Sequence, residues 1–529
     1  MSKVSAGRPV GKASGSKARK GVAPACASIA MPHRRALPWV MPGSSEPSED
    51  AFPRHRLIGL VLGPLAAAIV IASPPPAGLS ENGWWIAGIG LWMALWWMTE
   101  ALPLAVTALL PLILFPLLGL RDIETTTPAY AHPLIFLFLG GFMLARALHA
   151  WELDRRIALT VLRYVGTSPR GVIFGLMAVT AFLSMWVSNT ATTMVMLPIG
   201  LSIVATFDQE GQAGSDGVAP ALLLGIAYAA TIGGMGTIIG TPPNALFAAF
   251  MAKSHGVEVS FFRWMLIGVP LVMVLLPIAW LVLTRLSFRI PGHASAETGS
   301  MIAEKIKGLP PVSRAERMLV VLMGLVAAAW IFRPLLADLV PWLRLSDAGI
   351  AVTGAVLLFV LPVDLKRGRF LLSWKEAMAI RWDVLILFGG GLALAAAIGE
   401  SDLARWIGAQ LTGLKTLPVV LLLLAVGVLI VFVGELASNT AMAAVFLPIA
   451  GATAIGMGEP AFVLTLPVAL FATLGFMLPV ATPPNAIIFG SGAVEMRHML
   501  RAGVILDVVG IAVVALAIVT LGRWVLAPG

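Results

Sequence analysis

The stretch VSNTATTMVMLPIG, residues 187–200, sets a small polar triplet, Ser188-Asn189-Thr190, inside a run apolar enough for a lipid bilayer. A second version, ASNTAMAAVFLPIA, occupies residues 437–450, with Ser438-Asn439-Thr440 at the matching places. Hydrocarbon offers no water, so polar groups at that depth must find partners inside the protein or line a cavity. Two such triplets in one chain point to a built binding site.

The surroundings fix the class of protein. Of 529 residues, 58% are hydrophobic and 12% charged, and mean hydropathy is +0.92. A soluble domain carries about a quarter charged residues. Apolar runs repeatedly reach the roughly 20 residues that span hydrocarbon. A transmembrane barrel needs alternating segments of about ten residues with a polar lumen face, which these continuous runs exclude. The expected fold is an all-α polytopic membrane protein.

The net charge of +9 does not signal nucleic acid, because residues 1–56 hold ten Lys/Arg against three Asp/Glu and so carry seven of the nine charges. That segment, rich in Gly, Pro, Ala and Ser, reads as a disordered basic tail. Cys26 is the single cysteine, so no intramolecular disulfide forms and a thiolate metal site is excluded in practice.

Thirteen apolar runs follow the tail. Two of them, 171–204 and 416–452, carry the triplets near their middle and suit helical hairpins that enter and leave on one side. Two others, 219–250 and 461–492, contain GTPPNA and ATPPNA, and tandem proline breaks a helix. With two re-entrant hairpins, about 11 transmembrane helices remain. A cytoplasmic N-terminus then puts Arg155, Arg156, Arg163 and Arg170, Arg285, Arg289, Lys305 and Lys307, Lys366, Arg367, Arg369 and Lys375, and Arg497 and Arg501 in cytoplasmic connections. That agrees with the positive-inside rule. The hairpins then open to opposite sides, so the halves are inverted.

Internal repetition supports this division. A shift of 250 takes Gly140 to Gly390, Asn189 to Asn439 and Pro198 to Pro448; later the shift is 241, from Asn244 to Asn485. The expected organisation is a first repeat over 57–286, with three scaffold helices, a fourth helix, hairpin 171–204, broken helix 219–250 and helix 261–284. A cytoplasmic linker spans 287–316. The second repeat, 317–529, contains hairpin 416–452 and broken helix 461–492. Inverted repeats that bring broken helices together at the midplane build secondary transporters. A broken helix exposes carbonyls that suit a small cation and amides that suit an anion. Triplet hydroxyls and amide oxygens can hold Na+, and Thr190, Thr440 and the Asn amides can donate to carboxylates. No Lys, Arg or His lies near the four motifs in sequence, so a bound anion needs bound cations beside it.

SNTATTMVMLPI, SNTAMAAVFLPI, GTPPNA and ATPPNA, with TEALPLAVTALLPLILFPLLGL at 99–120, resemble the divalent anion/sodium symporter family of di- and tricarboxylate transporters, over about residues 57–526. The resemblance implies a homodimer in a bacterial inner membrane, each protomer moving its site by an elevator motion of a transport domain against a scaffold. It implies a first Na+ site at Ser184, Ser188, Asn189 and Gly240, and a second at Gly434, Ala437, Asn439 and Ala481. Substrate carboxylates would meet Asn189, Thr190, Thr241 and Pro242 on one side and Asn439, Thr440, Thr482 and Pro483 on the other. Many family members carry Thr where this chain has Gly434, which bears on the second Na+ site.

Other polar residues have competing readings. Glu435 is either a functional intramembrane acid or a brace for the hairpin tip. Glu100 and Asp383 read as interfacial, Asp507 as a weak candidate for an ion path, and RRIALTVLRYV as a surface amphipathic helix. Gly140-Gly141 and Gly389-Gly390-Gly391 allow close helix contact. No HExxH, metal-spaced Cys/His set or Walker loop is present, so the chain is not read as an enzyme. The reading is import of a dicarboxylate with Na+, against a Na+-independent exchanger, a sulfate-type carrier or an anion channel. The partners are the carboxylate, membrane lipid and a second copy, with no nucleic acid.

Overall fold

A computed structural model describes residues 54–162, 168–209, 217–288, 290, 310–340, 342, 344–410, 413 and 417–526. The expected basic tail, apart from residues 54–56, lies outside the described residues, as do 289 and 291–309 of the expected linker. Arg54–Ala72 is helical, so the first helix starts slightly earlier than the apolar run.

The described chain is helical apart from one short antiparallel pair, Pro362–Asp364 with Arg369–Phe370. Helices start where the residue types favour it. Pro133, Pro169, Pro242 and Pro483 open helices at positions where the missing N–H has no intrahelical acceptor. Ser168, Ser260 and Ser346 accept from backbone amides at the next helix start. Ser313 with Glu316 and Ser373 with Glu376 form reciprocal capping boxes.

Among the described residues, six helices are long and apolar enough to cross a membrane, including Phe261–Ser287, Trp382–Glu400 and Met496–Gly522. Arg314–Ile331 and Arg333–Leu339 form a further apolar pair bent by 72°. Shorter apolar helices supply the hairpin arms and the leading parts of the broken helices. The chain is an integral membrane protein.

The repetition seen in the letters recurs in the elements. Pro169–Ser184 and Asn189–Gln209 flank one four-residue turn, and Val419–Gly434 and Asn439–Met457 flank the other, so arm start, arm end and return helix coincide at a shift of 250. The broken helices are Val218–Gly234 with Pro242–His255, and Phe462–Phe471 with Pro483–Gly490. Leu153–Leu162 overlaps residues 155–162 of the stretch expected to be a surface amphipathic helix; it buries Leu153, Ala158 and Leu159 and exposes Arg155 and Thr160, and residues 163–165 of that stretch lie outside the described residues.

The halves interlock. Return helix Asn189–Gln209 packs on Pro483–Gly490, and its counterpart Asn439–Met457 packs on Pro242–His255. Backbone contact makes this density possible. A Cβ on Gly140 would lie 2.5 Å from the Ala351 carbonyl carbon, and one on Gly390 would lie 2.3 Å from the Ala108 carbonyl oxygen.

Candidate functional site

The interlocking of halves brings all four motifs to one cavity of about 720 Å³. Ser188, Asn189 and Thr190 line it with Gly240, Thr241 and Pro242 from the first half; Ala437, Ser438, Asn439 and Thr440 line it with Ala481, Thr482 and Pro483 from the second. All eight residues expected to meet substrate are therefore brought together. Of those expected to hold Na+, Ser184 and Gly434 do not line the cavity; they end the arms behind it.

Four helices begin at this cavity, at Asn189, Pro242, Asn439 and Pro483. The helices at Asn189 and Asn439 present first-turn amides that lack intrahelical acceptors, whereas those at Pro242 and Pro483 open with two prolines that have no N–H and add only the positive end of the helix dipole; together the four N-termini favour an anion without any cationic side chain. The basic residues that line the cavity among the described residues are His55, Arg56 and Arg381. Both arginines sit at its exposed rim and are paired, Arg56 with Glu100 at 3.3 Å and Arg381 with Asp383 at 2.7 Å. Glu100 and Asp383, expected at an interface, are thus rim residues of the cavity. Nothing in their local sequence signals this, because the rim is assembled from three separate helices.

Behind the first triplet, oxygen atoms gather. The inward terminal atom of the Asn189 amide lies 2.7 Å from Ser184 Oγ, 3.1 Å from the Ala230 carbonyl oxygen and 3.2 Å from the Gly240 carbonyl oxygen. Ser184 Oγ also contacts the Ala230 oxygen at 2.7 Å. With oxygen inward, one amide oxygen faces two carbonyls that have nothing to donate; with NH2 inward, its two N–H groups are shared among the Ser184 hydroxyl and the Ala230 and Gly240 carbonyls. A cation among four oxygens satisfies the first arrangement. The donor set, all uncharged oxygen, fits Na+. Ala230 was not legible as a member, since nothing about an alanine in an apolar run marks its carbonyl.

The second half offers less. Gly434 stands where Ser184 stands in the first half and brings no hydroxyl, and the buried Asn439 Oδ1 has no hydrogen-bond partner. The donors therefore still include an uncommitted oxygen, which a cation would satisfy.

The hairpin tips are tied to the broken helices at equivalent positions by different chemistry. In the first half the Thr237 hydroxyl donates to the Met185 carbonyl. In the second, Glu435 accepts from the Met477 amide at 3.0 Å and the Leu478 amide at 2.8 Å. Of the two readings of Glu435, the brace is what the bonding supports: both carboxylate oxygens are engaged with backbone. Asp507 is fully buried and accepts from the Phe476 amide at 3.3 Å.

Comparison with known proteins bears on what this arrangement serves. The family described as "Sodium:sulfate symporter transmembrane region" matches residues 54–527. The sodium-dependent dicarboxylate transporter SdcS of Staphylococcus saprophyticus is 37% identical over 493 residues, covering 92% of this chain and 95% of that protein. Its namesake in Staphylococcus aureus is 38% identical over 489 residues, covering 90% and 93%. The crystal structure of the Alcanivorax borkumensis YdaH transporter shares the fold, with a TM-score of 0.55 at 14% identity over 89% of this chain and 96% of that one.

Proposed function

This chain belongs to the sodium:sulfate symporter transmembrane family, and from that premise we propose that it is a secondary active transporter importing a dicarboxylate of the succinate, malate or fumarate type together with Na+. The observation that carries the reading is the cavity itself: four helix N-termini and two Ser-Asn-Thr triplets meet in a space without an interior cationic side chain. Two mirrored sets of donors match two carboxylates, and uncharged oxygens behind them match the cations that a dianion requires there.

In this reading Ser184, Ser188, Asn189 and Gly240 hold one Na+, with the Ala230 carbonyl beside them, and Gly434, Ala437, Asn439 and Ala481 hold the other. Thr190, Thr241 and Pro242, with Asn189, orient one carboxylate; Thr440, Thr482 and Pro483, with Asn439, orient the second. The triplet asparagines join cation and substrate, so each ligand raises the affinity for the other.

The hairpins and broken helices of both halves pack into one unit around the cavity, which suits a transport domain moving as a body against a scaffold that includes Arg54–Ala72 and Glu81–Thr99. A cytoplasmic N-terminus, a bacterial plasma membrane and a homodimer complete the proposal; the relatives are bacterial, and cross-linking in native membranes tests the dimer.

The test is uptake of labelled succinate into proteoliposomes under an inward Na+ gradient, repeated with K+. Uptake with Na+ alone is expected. Uptake with either cation that depends on internal dicarboxylate means exchange, and inhibition by sulfate but not malate assigns the cavity to an inorganic oxyanion.

A further inference from the structure

Each broken helix is fastened across its break by one buried asparagine outside the cation and substrate sets. Asn244 Nδ2 donates to the Gly234 carbonyl at 2.9 Å and to the Thr237 carbonyl at 2.8 Å. Asn485 Nδ2 donates to the Gly475 and Leu478 carbonyls, each at 3.0 Å. Donor and both acceptors correspond at a shift of 241. These four carbonyls lie between the leading and trailing helices or at the end of the former, where the regular backbone acceptor pattern is interrupted.

Each asparagine is the third residue of its trailing helix, after two prolines that have no N–H to give. The amide therefore ties a rigid helix to the segment on the far side of the break. Between them lie Gly240 and Thr241 in one half and Ala481 and Thr482 in the other, all lining the cavity. Both asparagines are fully buried, and both Oδ1 atoms lack a hydrogen-bond partner. An orphaned buried acceptor is unfavourable, and an isosteric leucine would avoid it. The residue is useful for its two donors.

We propose that Asn244 and Asn485 are positioning residues that hold the two broken helices in the cation-competent geometry. This rests on the Na+-coupled reading above. When such a fastening is lost, the competent geometry becomes a minority state, and apparent cation affinity falls by the fraction of time it is populated. Two lost hydrogen bonds of ordinary strength weaken it by about tenfold.

The experiment uses the full-length chain in proteoliposomes, with Na+ titrated at saturating succinate for the wild type, Asn244→Ser and Asn485→Ser. In parallel, the Na+-induced rise in melting temperature is measured on the same proteins in detergent. The expected result is a Na+ half-saturation raised about tenfold in each variant, with uptake at saturating Na+ largely kept. Where uptake is too low to titrate, the Na+ dependence of the melting temperature must show the same displacement. A purely structural role lowers the melting temperature and the yield but leaves Na+ half-saturation unchanged, and that outcome overturns the proposal. Should a serine variant fail to fold, Asn244→Leu and Asn485→Leu, which keep the size, lose the NH2 and add no charge beside the cation, are titrated in the same way. A wild type without Na+-dependent uptake or Na+-dependent stabilisation sinks the functional reading, and this proposal with it, before any variant is compared.

Discussion

Gly434→Ser should strengthen Na+ dependence, and the reason lies in the unequal halves. Ser184 and Gly434 occupy equivalent positions at the ends of the hairpin arms. In the first half Ser184 Oγ lies 2.7 Å from the Asn189 Oδ1 position; in the second, Asn439 Oδ1 is buried without a partner. The space for a side chain exists, because a Cβ on Gly434 would touch only Met442 Cγ, at 3.9 Å. A hydroxyl there can satisfy Asn439, worth about 0.5–1.5 kcal/mol net. Replacing glycine near a helix end adds a few tenths of a kcal/mol. These two terms, about 1–2 kcal/mol together, hold with or without Na+ and should appear as stability; separately, the new hydroxyl oxygen is a ligand gained only when Na+ is bound, and that part alone shifts cation affinity. Na+ half-saturation should therefore fall by about three- to tenfold. The assay is a Na+ titration of succinate uptake, with melting temperature followed with and without Na+. Ser184→Gly is the reciprocal variant and should move both readouts the opposite way. A folded Gly434→Ser protein whose Na+ half-saturation is unchanged or raised would refute the reasoning, and would mean that the second site uses only backbone at this position.

Three other outcomes are expected. Asn189→Ala and Asn439→Ala should each abolish Na+-driven uptake while membrane insertion is retained, as read by transport against the yield of folded protein. Gly233→Ala puts a methyl 2.2 Å from the Ala181 carbonyl oxygen and should destabilise the protein by about 1–3 kcal/mol, whereas Gly324→Ala, in a helix with open space around it, should stabilise by about 0.5–1 kcal/mol; thermal unfolding compares the two. Asp402, outside the spans, accepts from the Ser80 hydroxyl at 2.6 Å and the Ser80 amide at 2.8 Å, and these bonds hold its pKa below the usual 3.8. Its contribution is therefore full above the unfolded value and lost as pH falls through the lowered one. The melting-temperature gap between the wild type and Asp402→Ala should stay constant from neutral pH to about pH 5 and narrow only below about pH 4.

The membrane class, the two triplet-bearing hairpins and the broken helices were legible in the letters, and so were Asn189, Thr190, Asn439 and Thr440 as polar groups at membrane depth; Thr241, Pro242, Thr482 and Pro483 entered as substrate neighbours only through the family resemblance, and the structure brings all eight to one cavity. Apolar length and tandem proline act locally, through the cost of leaving backbone unpaired in hydrocarbon, and duplication reveals itself by fixed spacing. The paired asparagines of the two breaks were visible as letters too, at 244 and 485, but their use was not. Only the tertiary structure decided which carbonyls they reach, that Ala230 joins Ser184 and Asn189, that Arg56 and Arg381 meet at the cavity rim, and that Glu435 is engaged with backbone amides. Such contacts join residues 7 to several hundred positions apart, many through main-chain atoms that every residue possesses. Sequence spacing therefore carries no signal for them; packing of the two halves against each other does.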